Sequence, residues 1–260
     1  MRFPIKLSRV VSQGFFARCS LNTESVPLVD SHSRFHNYLR ISLTERCNLR
    51  CQYCMPLAGV SLTPKEHLLT TEERKRLITI FSGLGVNKIR FTGGEPTLSK
   101  DLIELVAHAR SIPSMKMIGM TTNGVTLSTH LSGLISAGLS SVNISLDTLD
   151  EDKFATITRR DKRFFYKVLS SIHAAVGHQL KVKVNCVVTR GVNDNELHDF
   201  VEFSRKYNVD VRFIELMPFD ENQWNSSKML PYFEIIDVLK RKGIELTKSV
   251  SDDKSDTTKW

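Results

Sequence analysis

Residues 47–54 read Cys-Asn-Leu-Arg-Cys-Gln-Tyr-Cys, a C-x3-C-x2-C spacing that places three thiols within eight residues. Thiolates are soft ligands that suit zinc or an iron–sulfur cluster. A structural zinc site takes four closed ligands, whereas this segment offers three, with no fourth cysteine or histidine close by. Three thiolates on a four-iron cluster leave one iron open to a further ligand. Cys47, Cys51 and Cys54 are therefore predicted to hold a [4Fe–4S] cluster.

The other cysteines are not needed for this site. The chain has five cysteines, and an odd total fits a disulfide framework poorly, which indicates a metal site in a reducing compartment. Cys186 alternates with the polar residues of a predicted strand, so we expect a small, buried, apolar residue there. Cys19 lies in a basic N-terminal segment and needs no role.

After residue 37 the chain alternates short β-rich runs with longer helical patterns. The predicted strands are 38–44, 88–93, 116–121, 141–146, 180–188 and 210–216. The predicted helices lie near 70–84, 99–111, 128–137, 164–178, 194–207 and 231–242, with a loop over 218–230. Such an alternation predicts parallel strands joined by right-handed crossovers. The expected fold is α/β: an incomplete (βα)6 parallel barrel, that is a partial TIM barrel, or an open sheet.

One face of at least four strands is polar, although strands of a fully covered parallel sheet are apolar on both faces. The polar members are Arg40, Ser42, Thr44, Lys88, Arg90, Thr92, Asn143, Ser145, Asp147, Lys181, Lys183 and Asn185. Because side chains alternate along a strand, each strand has one wet side. An incomplete barrel has room for such an interior, whereas a filled eight-stranded barrel does not. Arg40, Lys88, Arg90 and Lys183 would converge there and predict a bound anion; an exposed sheet face without a ligand is the alternative.

A second candidate site follows the second predicted strand, where the sequence reads Thr92-Gly93-Gly94-Glu95-Pro96. Paired glycines let backbone groups approach a ligand closely, and Glu95 can accept a hydrogen bond from an ammonium group. Alone, a Gly-Gly turn after a strand is usually only structural.

The cysteine spacing, with an aromatic residue before the last cysteine, resembles the signature of the radical S-adenosylmethionine (SAM) superfamily. The glycine segment resembles the GGE motif of that superfamily. The resemblance implies that the open iron is chelated by the amino and carboxylate groups of SAM. One electron from the cluster would then cleave SAM to a 5′-deoxyadenosyl radical, which abstracts hydrogen from the substrate.

Over residues 37–220 the sequence is similar to the GTP 3′,8-cyclases that start molybdenum cofactor biosynthesis, including their mitochondrial members. The matching strings are residues 39–44, 51–56, 89–96, 121–124, 142–147, 182–185 and 212–218. The implied reaction takes hydrogen from C3′ of GTP and joins that carbon to C8 of guanine. The resemblance implies SAM binding by Tyr53, Gly94, Glu95, Ser145 and Met217, and GTP binding by Arg40, Lys88, Arg90, Thr121, Lys183 and Arg212.

The same family carries a second cluster near its C-terminus, held by three further cysteines, and no cysteine follows Cys186 here. We therefore expect one cluster from these 260 residues. A fragment, a truncated isoform or gene model, and a half that works with a separate partner would each explain this. A non-catalytic isoform, or a radical SAM enzyme with another substrate, are the alternative functions.

The N-terminal segment resembles a targeting sequence. Residues 1–23 contain Arg2, Lys6, Arg9 and Arg18 and no acid, and the whole chain has a formal net charge of +8. This composition predicts a mitochondrial transit peptide and a matrix location, with a plain basic tail as the alternative. No apolar stretch approaches the roughly 20 residues of a membrane span, and a nucleic-acid partner is not expected.

The expected organisation is therefore a transit and flexible segment over 1–36, a radical SAM barrel over 37–217, a loop and helix over 218–248 and a disordered tail over 249–260. The resemblance further implies an electron donor, a homodimer and a downstream cyclic pyranopterin monophosphate synthase.

Overall fold

The computed structural model describes residues 28–218 and 225–248 of the chain. Six parallel strands form one sheet in the order β1-β2-β3-β4-β5-β6. Their bounds are β1 Tyr38–Ser42, β2 Lys88–Thr92, β3 Met117–Thr122, β4 Ser141–Ser145, β5 Lys181–Val188 and β6 Asp210–Glu215. The helices are α1 Thr71–Gly83, α2 Leu102–Ser111, α3 Leu127–Ala137, α4 Glu151–Thr158, α5 Arg163–Gly177, α6 Leu197–Tyr207 and α7 Tyr232–Arg241. All six predicted strands and the six predicted helices are confirmed, whereas α4 was not predicted.

The sheet is curved into a partial barrel. In a flat sheet, five strand spacings would separate β1 from β6 by about 24 Å. Burial is the main cause of the lowered pKa of Arg212 on β6, and the positive charges of Arg90 on β2 and Arg40 on β1 lower it further. Arg212 therefore lies within electrostatic reach of β1 and β2. β1 and β6 are not paired with each other in the part of the chain described. The predicted incomplete (βα)6 barrel is therefore confirmed.

The apolar face of each strand forms the core with the helices. Ile89, Phe91, Met120, Val142 and Ile144 have no exposed surface and belong to one continuous apolar cluster with helix residues. Cys186 is buried in the same cluster, as predicted. The opposite faces of the strands are thus left free to line the interior of the barrel.

Two predicted irregular segments have more structure than expected. Residues 30–34 form a turn because the Asp30 carboxylate accepts hydrogen bonds from the amides of His32 and Arg34, both at 2.9 Å. Within the predicted loop 218–230, Ser226–Lys228 forms a short 3-10 helix and Met229 pairs with Thr189. Residues 219–224, the predicted tail 249–260 and residues 1–27 of the predicted transit segment lie outside the described residues. None of the described helices is long and apolar enough to span a bilayer.

Candidate functional site

The cysteine loop, residues 47–54, follows β1 and rests on the carboxyl end of α4. Arg50 N donates to Thr158 O at 3.0 Å, and Gln52 N donates to Ile157 O at 2.9 Å. The Gln52 Nε2 group donates to Thr156 O at 2.9 Å. The last carbonyls of a helix have no partner within the helix, so the end of α4 offers acceptors that the loop uses. The unpredicted helix therefore fixes the position of the cysteines.

The three thiols of the loop fit an iron–sulfur cluster. Burial raises the pKa of Cys47, Cys51 and Cys54. A nearby carboxylate raises each pKa further, Glu95 for Cys47 and Asp147 for Cys51 and Cys54. Among the described residues, no three metal-ligating side chains lie close enough to hold a single ion. In a cluster each thiolate binds a separate iron, so three neighbouring soft donors that are not placed to share one ion suit a cluster better than a single metal ion.

The glycine pair brings the end of β2 against the approach to the cysteine loop. Gly94 N donates to Thr44 O at 2.6 Å, and a Cβ at Gly94 would lie 2.4 Å from Arg46 O. Gly93 has φ +148°, and its Cβ would lie 2.6 Å from Thr44 O. Only residues without a side chain fit here, so the two candidate motifs form one continuous site.

Glu95 has partners within the protein that the sequence did not predict. Its side chain is completely buried, and Oε1 accepts hydrogen bonds from Thr97 N at 3.1 Å, Thr97 Oγ1 at 2.7 Å and Thr122 Oγ1 at 2.7 Å. Oε2 accepts from Asn123 N at 2.7 Å. Four protein donors therefore surround the carboxylate, three on Oε1 and one on Oε2, and Glu95 braces the ends of β2 and β3.

Tyr53 is half-buried beside the cysteines. Its hydroxyl donates to Asp147 Oδ2 at 2.7 Å, and Asp147 Oδ1 accepts from Val187 N at 2.9 Å. Burial raises the pKa of Asp147 to about 6. Two other residues expected to bind SAM lie at the carboxyl ends of strands: Ser145 ends β4, half-buried, and Met217 follows β6, 54% exposed. The geometry brings Tyr53 and Ser145 to the same edge of the sheet as the cysteines.

The residues expected to bind GTP share one face of the sheet. The register pairs Arg40 with Arg90, Thr121 with Asn143, and Asn143 with Lys183. Since side chains alternate faces and paired residues lie side by side, these positions line the barrel interior together. Lys88 lies on the same face of β2, two residues before Arg90.

Three of these cations also have protein partners. Arg90 is buried, and it donates through Nε to Tyr38 Oη at 2.6 Å and through Nη1 to Met120 O at 3.1 Å. Lys183 Nζ pairs with Asp210 Oδ2 at 3.0 Å. Arg212 donates to Asn185 Oδ1 from Nε at 2.9 Å and from Nη2 at 2.6 Å. The interior is therefore less positive than the sequence alone suggested, because Asp210 offsets one of its charges.

The interior also contains polar atoms that lack a partner. Ser141 Oγ and Asn143 Oδ1 on β4 are buried without a hydrogen bond from any described residue. A buried polar atom without a partner costs about 1–3 kcal/mol. Asn143 pairs with Lys183 in the register, and Ser141 Oγ and the Arg90 guanidinium both lie over Gly119, which has no side chain. The two atoms indicate a place for the polar groups of a ligand.

Sequence reasoning missed several residues of the site. Tyr38, Asp210 and Asn123 were not singled out, and Asp147 and Asn185 were noted only for their place in the strand alternation. The alternation signals which face they occupy, but it gives no information on which side chains meet across neighbouring strands.

Comparisons with known proteins agree with this geometry. The radical SAM superfamily profile matches residues 41–204. GTP 3′,8-cyclase, mitochondrial, from Arabidopsis thaliana is 53% identical over 223 residues, which cover 85% of this chain and 56% of that protein. Molybdenum cofactor biosynthesis protein 1 from Bos taurus is 53% identical over 234 residues, 89% of this chain and 36% of that protein. GTP 3′,8-cyclase from Clostridium botulinum is 46% identical over 197 residues, 75% of this chain and 61% of that protein.

A solved structure of anSMEcpe with bound AdoMet shares the fold, with a TM-score of 0.60 at 19% identity, over 79% of this chain and 57% of that chain. The chain spans about a third to three fifths of the length of the curated relatives named above. The profile match shows, and the cysteine loop and the open barrel agree, that the chain belongs to the radical SAM superfamily.

Proposed function

We propose that this chain supplies the radical SAM part of a GTP 3′,8-cyclase. The observation that carries the proposal is the placement of Arg40, Arg90 and Arg212 inside a partial barrel whose carboxyl edge holds the three cysteines. The names of relatives at 46% to 53% identity support the choice of GTP as the substrate.

The residues of this chain divide into two groups by position. Cys47, Cys51 and Cys54 would hold one [4Fe–4S] cluster, with Tyr53, Gly94, Glu95, Ser145 and Met217 around the SAM that binds beside it. When bound, cluster and SAM together supply the radical that takes hydrogen from the substrate. Glu95 positions this edge of the sheet through its four hydrogen bonds.

The barrel interior would bind GTP through its charges. Arginine offers paired donors that match phosphate oxygens, and a triphosphate needs several such cations. Arg40, Lys88, Arg90, Lys183 and Arg212 provide them, and Thr121 adds a hydroxyl. Lys183 would exchange part of its pairing with Asp210 for the phosphates, because a triphosphate offers more negative charge than one carboxylate.

The proposal is tested by anaerobic reconstitution with iron and sulfide, followed by reductant, SAM and GTP. We expect 5′-deoxyadenosine from the wild-type chain and none from Cys51→Ala, with Cys186→Ala as the matched control because Cys186 lies in the core. Cyclised GTP in the same assay supports the full proposal. 5′-Deoxyadenosine with no GTP binding would point to a different substrate, and a chain that takes up no cluster would contradict the proposal.

We also propose that residues 1–36 direct the chain to mitochondria. The Arabidopsis relative is named as mitochondrial, and residues 1–23 are basic and free of acids. Residues 1–40 fused to a fluorescent reporter should be imported, whereas the same fusion with Arg2, Lys6, Arg9 and Arg18 changed to Gln should stay outside. A diffuse cytosolic signal from the unchanged fusion would contradict the proposal.

An electron donor, a homodimer and a downstream synthase that uses the cyclised product belong to the same proposal. Light scattering on the reconstituted chain tests the dimer, and a coupled assay tests the synthase.

A further inference from the structure

Asn123, directly after β3, contacts the first cysteine of the loop. Its Nδ2 lies 3.7 Å from Cys47 Sγ, within hydrogen-bonding distance for sulfur. Within the described residues, no other side chain donates a hydrogen bond to a sulfur of Cys47, Cys51 or Cys54. The Leu49 amide is a second donor to Cys47, at 3.4 Å. The three thiols of the loop are therefore unequal.

The orientation of the Asn123 amide is fixed by its own hydrogen bonds. Oδ1 accepts from Val125 N at 3.1 Å, and Nδ2 donates to Asn48 Oδ1 at 2.6 Å. A flipped amide would turn Nδ2 toward the Val125 N–H and its oxygen toward Asn48 Oδ1, which loses both bonds. An N–H group must therefore face the Cys47 sulfur.

The backbone of Asn123 is held as firmly as its side chain. Its amide donates to Glu95 Oε2 at 2.7 Å, and the preceding Thr122 hydroxyl donates to Glu95 Oε1 at 2.7 Å. Glu95 is completely buried. Asn123 therefore connects the glycine segment, through its backbone, with the cysteine loop, through its side chain.

We propose that Asn123 is a positioning residue that sets the reduction potential of the cluster through its hydrogen bond to Cys47. The inference rests on the cluster of the proposed function. Reduction adds negative charge, and part of that charge resides on the ligating sulfurs. A hydrogen bond to such a sulfur therefore stabilises the reduced state and raises the potential.

Two variants of Asn123 separate the effect of the hydrogen bond on the reduction potential from the effect of a changed side-chain shape. Asn123→Leu keeps the branched shape and removes the donor, and we expect the reduction equilibrium to fall about tenfold, which is ~59 mV for a one-electron couple. Asn123→Asp places a carboxylate oxygen opposite the sulfur, and its negative charge should lower the potential at least as far. Asn48→Ala is the matched control, because the Val125 N–H still orients the Asn123 amide with Nδ2 toward the sulfur, and it should change the potential much less.

The measurement is a redox titration of the reconstituted chain monitored by electron paramagnetic resonance, at equal iron and sulfide content. Lower potentials in both Asn123 variants, with Asn48→Ala near wild type, support the inference. An unchanged potential in Asn123→Leu, or an equal shift in Asn48→Ala, would overturn it. Failure of both Asn123 variants to hold a cluster that Asn48→Ala retains would also overturn it, since the bond would then serve assembly. A wild-type chain without a cluster would instead contradict the proposed function.

Discussion

At the scale of single residues, the site depends on close approach of backbones as much as on its reactive side chains. Gly94 has no space for a Cβ, since Arg46 O and Glu45 O would lie 2.4 and 2.6 Å from it. Both of these carbonyls belong to the segment that leads into the cysteine loop. A side chain at Gly94 would therefore push this segment away from β2.

We expect Gly94→Ala to lower the free energy of unfolding by about 1–3 kcal/mol, the usual cost of overpacking, and to reduce iron uptake on reconstitution. Gly177→Ala is the matched control, because Gly177 ends α5 and has no heavy atom within 4 Å of a built Cβ. Urea unfolding and iron analysis of both variants check the prediction. Equal stability and equal iron content in the two variants would show that the approach of these backbones is unimportant.

Glu95 shows how far a motif defines the role of a residue. The glycine segment could be found in the sequence, but the carboxylate of Glu95 meets Thr122 and Asn123, which follow it by 27 and 28 positions. Contacts between neighbouring strands depend on register, which a single sequence does not give. The same reason explains why the ion pair of Lys183 with Asp210 was not predicted.

At the scale of elements, α4 is the part of the barrel that the sequence concealed. It has only eight residues, Glu151–Thr158. Its first turn begins with two acids, Glu151 and Asp152, and its last turn contains two threonines, Thr156 and Thr158. Threonine is a moderate helix former, and an eight-residue helix gives little periodicity to detect. The longer helices α5 and α6 show clear apolar stripes and were predicted. α4 forms because it packs Phe154 and Ile157 into the protein and because its ends are capped.

The amino end of α4 is capped by Asp150, whose side chain accepts from Lys153 N at 2.7 Å. We expect Asp150→Ala to cost about 1 kcal/mol of stability and to speed loss of iron to a chelator, because the other end of α4 supports the cysteine loop. Asp199→Ala is the control, since Asp199 is 65% exposed on α6 and such surface changes stay within about 0.5 kcal/mol. Iron release followed by absorbance distinguishes them; identical rates would mean that the loop does not depend on α4.

At the scale of the whole molecule, alternation along the strands gives the barrel two different surfaces. The apolar faces of β2 to β5 are buried against the helices, and the opposite faces bring together residues from all six strands. This division was predictable, because polar and apolar residues alternate visibly in the sequence. The curvature of the sheet, which brings Arg212 on β6 within electrostatic reach of Arg90 on β2, was predictable only as a consequence of the fold class.

The central claim is that the interior arginines bind GTP while the cysteine edge binds SAM, and Arg90→Ala tests it most directly. The variant removes a buried cation from the interior and leaves the edge residues in place. A lost charge-assisted contact is worth about 1.5–3 kcal/mol, so the dissociation constant for GTP should rise at least about tenfold.

The measurement is anaerobic calorimetric titration of the reconstituted chain with GTP and, separately, with SAM, with Arg205→Ala as the control on the exposed face of α6. The account predicts a large loss of GTP affinity in Arg90→Ala alone, with SAM affinity unchanged. Equal loss of both affinities, or unchanged GTP affinity, would contradict it.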